Sequence, residues 1–153
     1  MLFRKAEARW EGNLTEGAGR LTVGSGAVDA PYSLKSRLQD GQSATNPEEL
    51  LGAAHAGCFT MALAAQLSGA GLKPSDIHTT AKVSFEKIGD AFAIIRIELE
   101  TSARVQGIDD ATFQKLAADA KKNCPVSKAL AAIEIRLKAT LGQAPMEVVT
   151  AKD

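Results

Sequence analysis

Residues 45–63 read TNPEELLGAAHAGCFTMAL, and this stretch decides the fold of the chain. Asn46 is a favourable N-cap, Pro47 suits the first helical position, and Glu49 follows three residues after the cap. The first turn is acidic, which the helix dipole favours. The remainder is small and apolar nearly all round, a pattern typical of a buried helix. The sequence therefore predicts a long, central helix that runs to about Ser68.

Shorter elements are predicted on both sides of this helix. Hydrophobic alternation and turn residues indicate strands over 6–11, 20–23, 32–38, 76–85, 91–101 and 133–141, with helices over 109–122 and 126–132. The order of strands, long helix, strands, helix and strand is that of an α+β protein. We expect a single domain over residues 1–141 and a C-terminal tail over 142–153. Because so apolar a helix needs cover on all sides, we also expect a homodimer.

Composition excludes several classes of partner. The chain of 153 residues fits one domain with a sizeable core. Its 18 basic and 18 acidic residues give a formal net charge of zero, which argues against a nucleic-acid partner and against an anionic membrane surface. No stretch is apolar enough to suggest a membrane span, and the N-terminus lacks an apolar signal region. We therefore expect a cytoplasmic protein without a membrane partner.

Two cysteines carry the candidate chemistry. In a reducing cytoplasm a static disulfide is not expected, which leaves inert thiols, metal ligands or redox chemistry. Cys58 lies on the long helix and reads equally well as a buried core thiol. Cys124 directly precedes Pro125, so it can be the N-cap of the next helix, where the dipole and free amides stabilise a thiolate. The alternative is that Cys124-Pro125 is only a kink.

Two charged residues and one possible metal site are further candidates for a functional role. Arg37, at the end of the predicted third strand, would lower the pKa of a nearby thiol, but taken alone it reads as a solvated strand residue. Glu48 reads as a partner of the helix dipole. His55 and Cys58 share one helix face and would need both Cys124 and His78 for a zinc site; that second pair is not locally spaced. We expect no metal and no cofactor.

The quoted stretch 45–63 and the run Asn123-Cys124-Pro125-Val126-Ser127 resemble the OsmC/Ohr family. The start Trp10-Glu11-Gly12 and the stretch Gly107-Ile108-Asp109 are similar to its OsmC branch, as is Ala-Ala-His at His55. The resemblance covers nearly the whole chain, to about Leu141. It implies a hydroperoxide reductase built as an intertwined homodimer, with antiparallel sheets packed around long central helices and two active sites at the interface.

The resemblance also implies a role for four residues. Cys58 would attack the peroxide and become a sulfenic acid, and Cys124 would resolve it as a disulfide. Arg37 would stabilise the Cys58 thiolate and orient the peroxide, and Glu48 would hold Arg37 by a bidentate pair. An external dithiol, of the dihydrolipoyl type, would restore the thiols. The apolar neighbours Leu51, Phe59 and Met61 would line the substrate pocket and favour organic hydroperoxides.

The spacing of two of these residues adds a geometric expectation. Ten residues separate Glu48 from Cys58, which on a continuous helix is about 15 Å of rise. Either the helix breaks near Gly52, or Glu48 and Arg37 reach the Cys58 site from the partner subunit, and we favour the second. The main alternative function is a binder of a small apolar ligand in the dimer-interface pocket. An RNA-binding module of the KH type is disfavoured by the neutral charge and by the lack of its Gly-x-x-Gly loop.

Overall fold

The computed structural model describes residues 1–142 of the chain. The elements in chain order are β1 (Ala6–Glu11), β2 (Ala18–Val23), β3 (Asp29–Tyr32), α1 (Leu34–Leu38), α2 (Pro47–Gly69), β4 (Pro74–Ile88), β5 (Ala91–Val105), α3 (Asp110–Asn123), α4 (Pro125–Ala129) and β6 (Glu134–Leu141). The predicted α+β class is confirmed. The predicted tail, apart from Gly142, lies outside the described residues.

The chain divides into two compact units, one covering Met1–Leu51 and one beginning at Gly52. The predicted single domain over 1–141 stays a prediction. The first unit carries a three-stranded antiparallel sheet in the order β1-β2-β3, as the turn residues indicated. On this sheet the rings of Trp10 and Tyr32 meet edge to face, with centroids 5.4 Å apart.

The strand predicted over residues 32–38 is wrong, because β3 ends at Tyr32 and helix α1 follows. The cause is a local capping box. The Ser33 side chain accepts the amide of Ser36, and the Ser36 hydroxyl in turn accepts the amide of Ser33. Arg37 therefore lies in the last turn of a short helix and not at the end of a strand.

Helix α2 begins as predicted, with the Asn46 side chain accepting the Glu49 amide at 2.8 Å. It continues without a break through Gly52. In the second unit its buried positions recur at helical spacing and form one stripe: Gly52, His55, Phe59, Leu63 and Leu67. The opposite face is exposed at Ala53, Ala54, Gly57, Met61 and Ala65. The prediction of a buried helix therefore holds for one face only.

The expectation that no stretch is apolar enough to suggest a membrane span is wrong for one helix. Helix α2, at 23 residues and a mean hydropathy of 1.4 over its most apolar window, is long and apolar enough to cross one. Within the chain 28% of that window is buried. Core helices of soluble proteins meet the same two criteria of length and composition.

The second unit holds a three-stranded sheet in the order β4-β5-β6. Strands β4 and β5 form a long antiparallel hairpin that turns at Gly89, whose φ of 62° is easiest for glycine. Strand β6 pairs parallel with β5, so this sheet is mixed and not antiparallel as expected. A parallel pair needs a crossover connection, and α3 and α4 provide it.

The core of the second unit combines the buried stripe of α2 with Ile97, Leu99 and Ala103 of β5 and Phe113, Ala117 and Ala120 of α3. Hydrogen bonds between threonine hydroxyls join helix α2 to the sheet. Thr60 of α2 donates to Thr79 of β4 at 2.8 Å, and Thr79 lies 2.9 Å from Thr101 of β5. Helix α2 and strand β4 approach each other closely at Gly52, where an added Cβ would lie 3.4 Å from Val83.

Truncation of Leu63, which is 0% exposed, tests this packing. We expect Leu63→Ala to lower the free energy of unfolding by about 2–5 kcal/mol, because it removes buried apolar surface and leaves a cavity. Leu38→Ala, at a side chain that is 46% exposed, is the matched control and should change it by less than about 0.5 kcal/mol. Chemical denaturation measures both; equal effects would contradict the described core.

Candidate active site

The two cysteines come together in the second unit. Cys58 lies in the middle of α2 and is half-buried, whereas Cys124 is fully buried at the join of α3 and α4. Both are free thiols, and they lie close enough for each to alter the pKa of the other. The resting chain thus holds two cysteines from distant parts of the sequence next to each other, which is the arrangement that disulfide chemistry needs.

Cys124 occupies the position that the Cys-Pro sequence predicted. It is the N-cap of α4, with Pro125 in the first turn, and its own amide donates to the carbonyl of Ala120 at 2.8 Å. Its thiol makes no capping hydrogen bond of ordinary geometry. The amides of Ser127 and Val126 still favour the thiolate electrostatically.

The two thiols differ in how easily they ionise. Burial raises the pKa of Cys58 and the adjoining Cys124 raises it further, while the Val126 amide opposes both. Burial also raises the pKa of Cys124, but the Ser127 amide, the Cys58 thiol, the Ser127 side chain and the Val126 amide outweigh it, so that pKa is lowered. The directions of the two shifts are therefore opposite, and the two thiols titrate as an interacting pair.

A buried polar pair adjoins Cys124, and it was not singled out from the sequence. His55 Nε2 lies 2.7 Å from the Ser127 hydroxyl, and both residues are buried. The Ser127 side chain also reaches Cys124. Ser127 lies three residues after the Cys124 N-cap, and this spacing is a signal in the sequence that could have identified it.

The structure does not assemble the zinc site that was weighed from the sequence. His78 lies apart on the exposed side of β4, and residues 1–142 hold no group of three or more His, Cys, Asp or Glu placed for a metal.

The predicted ion pair between Arg37 and Glu48 is present in the first unit. Arg37 Nε donates to both carboxylate oxygens of Glu48 at 3.1 Å, and Nη2 donates to Oε1 at 2.7 Å. Glu48 is buried, whereas the Arg37 side chain is 40% exposed. Two further bonds join α1 to the start of α2: Ser36 Oγ to the Thr45 carbonyl and Asn46 Nδ2 to the Ser36 carbonyl. The bidentate pair thus fixes the orientation of the Arg37 guanidinium.

An apolar cavity of about 290 Å³ adjoins Arg37 in the first unit. It is lined by Trp10, Leu14, Tyr32, Ser33, Leu34, Arg37 and Pro47. The sequence did not point to it, because its walls come from β1, β3 and two helices. The residues predicted to line a substrate pocket do not line this cavity: Leu51 is half-buried, Phe59 is fully buried and Met61 is 76% exposed. Their role stays a prediction.

The opposite pKa directions can be tested with single-thiol variants. In Cys58→Ser only Cys124 remains, and in Cys124→Ser only Cys58. We expect the thiol of Cys58→Ser to ionise at the lower pH, because the amides of α4 favour its thiolate. Ultraviolet absorbance of the thiolate measures this, with the double variant as the background for tyrosine. The reverse order of ionisation would contradict the described thiol pair.

Comparison with known proteins identifies the family of the chain. A model of the OsmC family, described as OsmC-like protein, matches residues 39–138. Peroxiredoxin OsmC of Escherichia coli K12 is 45% identical over 132 residues, covering 86% of this chain and 92% of that protein. An organic hydroperoxide resistance protein of Xanthomonas axonopodis pv. citri is 34% identical over 72% of this chain and 78% of its own. The crystal structure of OhrB of Bacillus subtilis, 26% identical, covers 90% of this chain and 98% of that one with a TM-score of 0.66. The chain belongs to the OsmC family.

Proposed function

We propose that this chain is a peroxidase that reduces organic hydroperoxides to alcohols with Cys58 and Cys124. One observation carries the proposal: two free cysteines, one half-buried and one fully buried, interact directly. The names of the relatives, peroxiredoxin and organic hydroperoxide resistance protein, support the same class of reaction. The sulfur chemistry of such a pair is a thiol–sulfenic acid–disulfide cycle.

In the first step the Cys58 thiolate attacks the terminal oxygen of the hydroperoxide. The O–O bond breaks, and the alkoxide leaves and takes up a proton to become the alcohol. The sulfur loses two electrons and becomes a sulfenic acid, while the peroxide is reduced by the same two electrons. Cys58 is the residue proposed for this step because Cys124, at 0% exposure, has no access to a peroxide from solvent.

In the second step the Cys124 thiolate attacks the sulfenic sulfur of Cys58. An S–S bond forms, the S–O bond breaks, and the hydroxide takes up a proton to leave as water. The lowered pKa of Cys124 suits this role, because it increases the fraction of the nucleophilic thiolate. An external dithiol then restores both thiols by exchange and is itself oxidised to a disulfide. We propose a dihydrolipoyl-type reductant.

The raised pKa of Cys58 means that its thiolate needs further stabilisation before attack. A guanidinium close to the sulfur would supply it. Arg37 is suited to this, because Glu48 fixes its orientation and leaves part of the side chain exposed. We propose that Arg37 and Glu48 serve the Cys58 of a second copy of the chain. Helix α2 has no break at Gly52, so the ten residues from Glu48 to Cys58 rise about 15 Å along one axis.

A second copy would also cover the exposed face of α2. Ala53, Gly57 and Ala65 on that face have little or no side chain, and such residues permit close approach of another helix. Met61 on the same face is 76% exposed, which leaves a large apolar side chain without cover in the single chain. These features support a homodimer in which each site draws on both copies. Free thiols support a reducing location, for which we propose the cytoplasm.

The apolar cavity beside Arg37 supports an organic substrate. A cavity of about 290 Å³ is near the lower size of small-molecule sites, and its aromatic walls favour an apolar group. We propose that it receives the organic part of the hydroperoxide while Arg37 faces the peroxide oxygens. The same cavity favours the alternative function, a binder of a small apolar ligand. Binding alone leaves the pairing of Cys58 with Cys124 without a role.

Turnover of cumene hydroperoxide with dihydrolipoamide as reductant tests the proposed reaction. We expect continuous turnover by the wild type, none by Cys58→Ser, and a single cycle by Cys124→Ser, because its sulfenic acid cannot be resolved. Thr60→Val, on the same helix but outside the thiol pair, is the control and should keep turnover. Peroxide consumption measures all four. No consumption by reduced wild type, even in one cycle, would move the assignment to ligand binding.

Mixed dimers test whether sites are shared between copies. Arg37→Ala and Cys58→Ser should each be inactive alone. If Arg37 acts on the partner's sulfur, random mixing should restore about a quarter of wild-type activity, since half of the dimers then hold one intact site. The activity of the mixture after unfolding and refolding measures this. Absence of recovery, with mixed dimers shown by mass spectrometry, would place Arg37 and Cys58 of each site in the same copy.

A further inference from the structure

The proposed reaction leaves one buried titratable residue without a role. His55 is 0% exposed on α2, one turn before Cys58, and its Nε2 lies 2.7 Å from the hydroxyl of Ser127 on α4. Ser127 lies three residues after Cys124, which caps α4, and its amide and side chain are close enough to that thiol to lower its pKa. The hydrogen-bonded pair of His55 and Ser127 therefore adjoins Cys124, which in turn adjoins Cys58.

The direction of hydrogen bonding in this pair follows from the surroundings of His55. Burial lowers the pKa of His55, so the ring is neutral and carries one proton. Nδ1 is buried and has no hydrogen-bond partner among the described residues. A buried N–H without a partner is rarer than a buried acceptor without one, which favours the proton on Nε2. His55 then donates to Ser127.

This direction determines what Ser127 can do. A hydroxyl has one proton and two acceptor lone pairs. When Ser127 accepts from His55 Nε2, its own proton is free to point at the Cys124 sulfur. A hydrogen bond to the ionised form of a thiol favours that form. If Ser127 instead donated to His55, it would offer the sulfur only a lone pair and would disfavour the thiolate.

We propose that His55 and Ser127 form a positioning pair that holds the Ser127 hydroxyl proton on Cys124 and keeps that sulfur beside Cys58 for disulfide formation. Ser127 touches the reacting sulfur, and His55 acts through Ser127. The pair also joins α2 to the start of α4, so the helix that carries Cys58 is bonded directly to the helix that Cys124 caps. The role in disulfide formation rests on the proposed function; the effect on Cys124 ionisation does not.

The first experiment measures ionisation without any peroxide. In the Cys58→Ser background, ultraviolet absorbance of the thiolate reports Cys124 alone. We expect added Ser127→Ala or His55→Leu to shift the midpoint upward by about one pH unit, as loss of a hydrogen bond to a charged group would. His55→Gln, which keeps an N–H donor, should return the midpoint most of the way to that of Cys58→Ser alone. Thr60→Val removes a comparable hydroxyl contact elsewhere on α2 and should leave the midpoint unchanged.

The second experiment follows the sulfenic acid on Cys58 after one equivalent of cumene hydroperoxide. An upward shift of one unit lowers the thiolate fraction of Cys124 tenfold but raises its intrinsic nucleophilicity about threefold, so we expect disulfide formation to slow about threefold in Ser127→Ala. Consumption of the peroxide in the first step should stay within a factor of two. Trapping of the sulfenic acid at timed intervals measures its lifetime.

The outcomes separate the two proposals. An unchanged Cys124 midpoint in both Ser127→Ala and His55→Leu, or an equal shift in Thr60→Val, overturns the positioning pair whatever the protein does with peroxide. If His55→Leu does not fold, Ser127→Ala decides alone. A wild type that forms no sulfenic acid overturns the proposed peroxidase, while the midpoint shift still supports the action of the pair on Cys124.

Discussion

The site depends on the packing of one stripe of helix α2 against the second unit. Gly52 brings the helix backbone close to β4, and Phe59 and Leu63 fill the core. Because buried positions recur at three and four residues, this packing fixes the rotation of the helix about its axis. That rotation turns His55 inward and leaves Cys58 half-buried at the edge of the stripe. Cys58 is therefore carried by a packed helix without being fully buried.

The second half of the site follows from strand topology. Strand β6 pairs parallel with β5, and a parallel partner can be reached only by a crossover. Helices α3 and α4 supply the crossover, and Cys124 lies where they join, as the last cap of one and the first cap of the other. Pro125 enforces this interruption, since the residue before a proline avoids helical geometry. The thiol thereby meets the free amides of a helix N-terminus inside the core.

The opposite pKa directions of the two thiols have an electrostatic origin. Both are taken out of water, which disfavours the thiolate of each. Only Cys124 gains several hydrogen-bond donors, from the Ser127 amide, the Ser127 side chain and the Val126 amide, while Cys58 gains one from Val126. The exposure of the two residues has the opposite order, since Cys58 is half-buried whereas Cys124 is fully buried. Cys58, the proposed nucleophile, is thus the thiol whose thiolate lacks stabilisation within the chain, which fits the proposal that Arg37 of a second copy supplies it.

The sequence by itself determined those features that depend on local chemistry. The Asn46 cap, the start of α2, the Cys124 cap and the ion pair of Arg37 with Glu48 could all be predicted, because each rests on residues close in sequence or on the family resemblance. The same local rules missed α1, where two serines formed a capping box in an apparent strand. Only the tertiary structure decided the parallel pairing of β6, the contact of His55 with Ser127 and the relative pKa directions of the two thiols. These depend on which side chains meet across the core and which groups lose water, and no spacing along the chain encodes that.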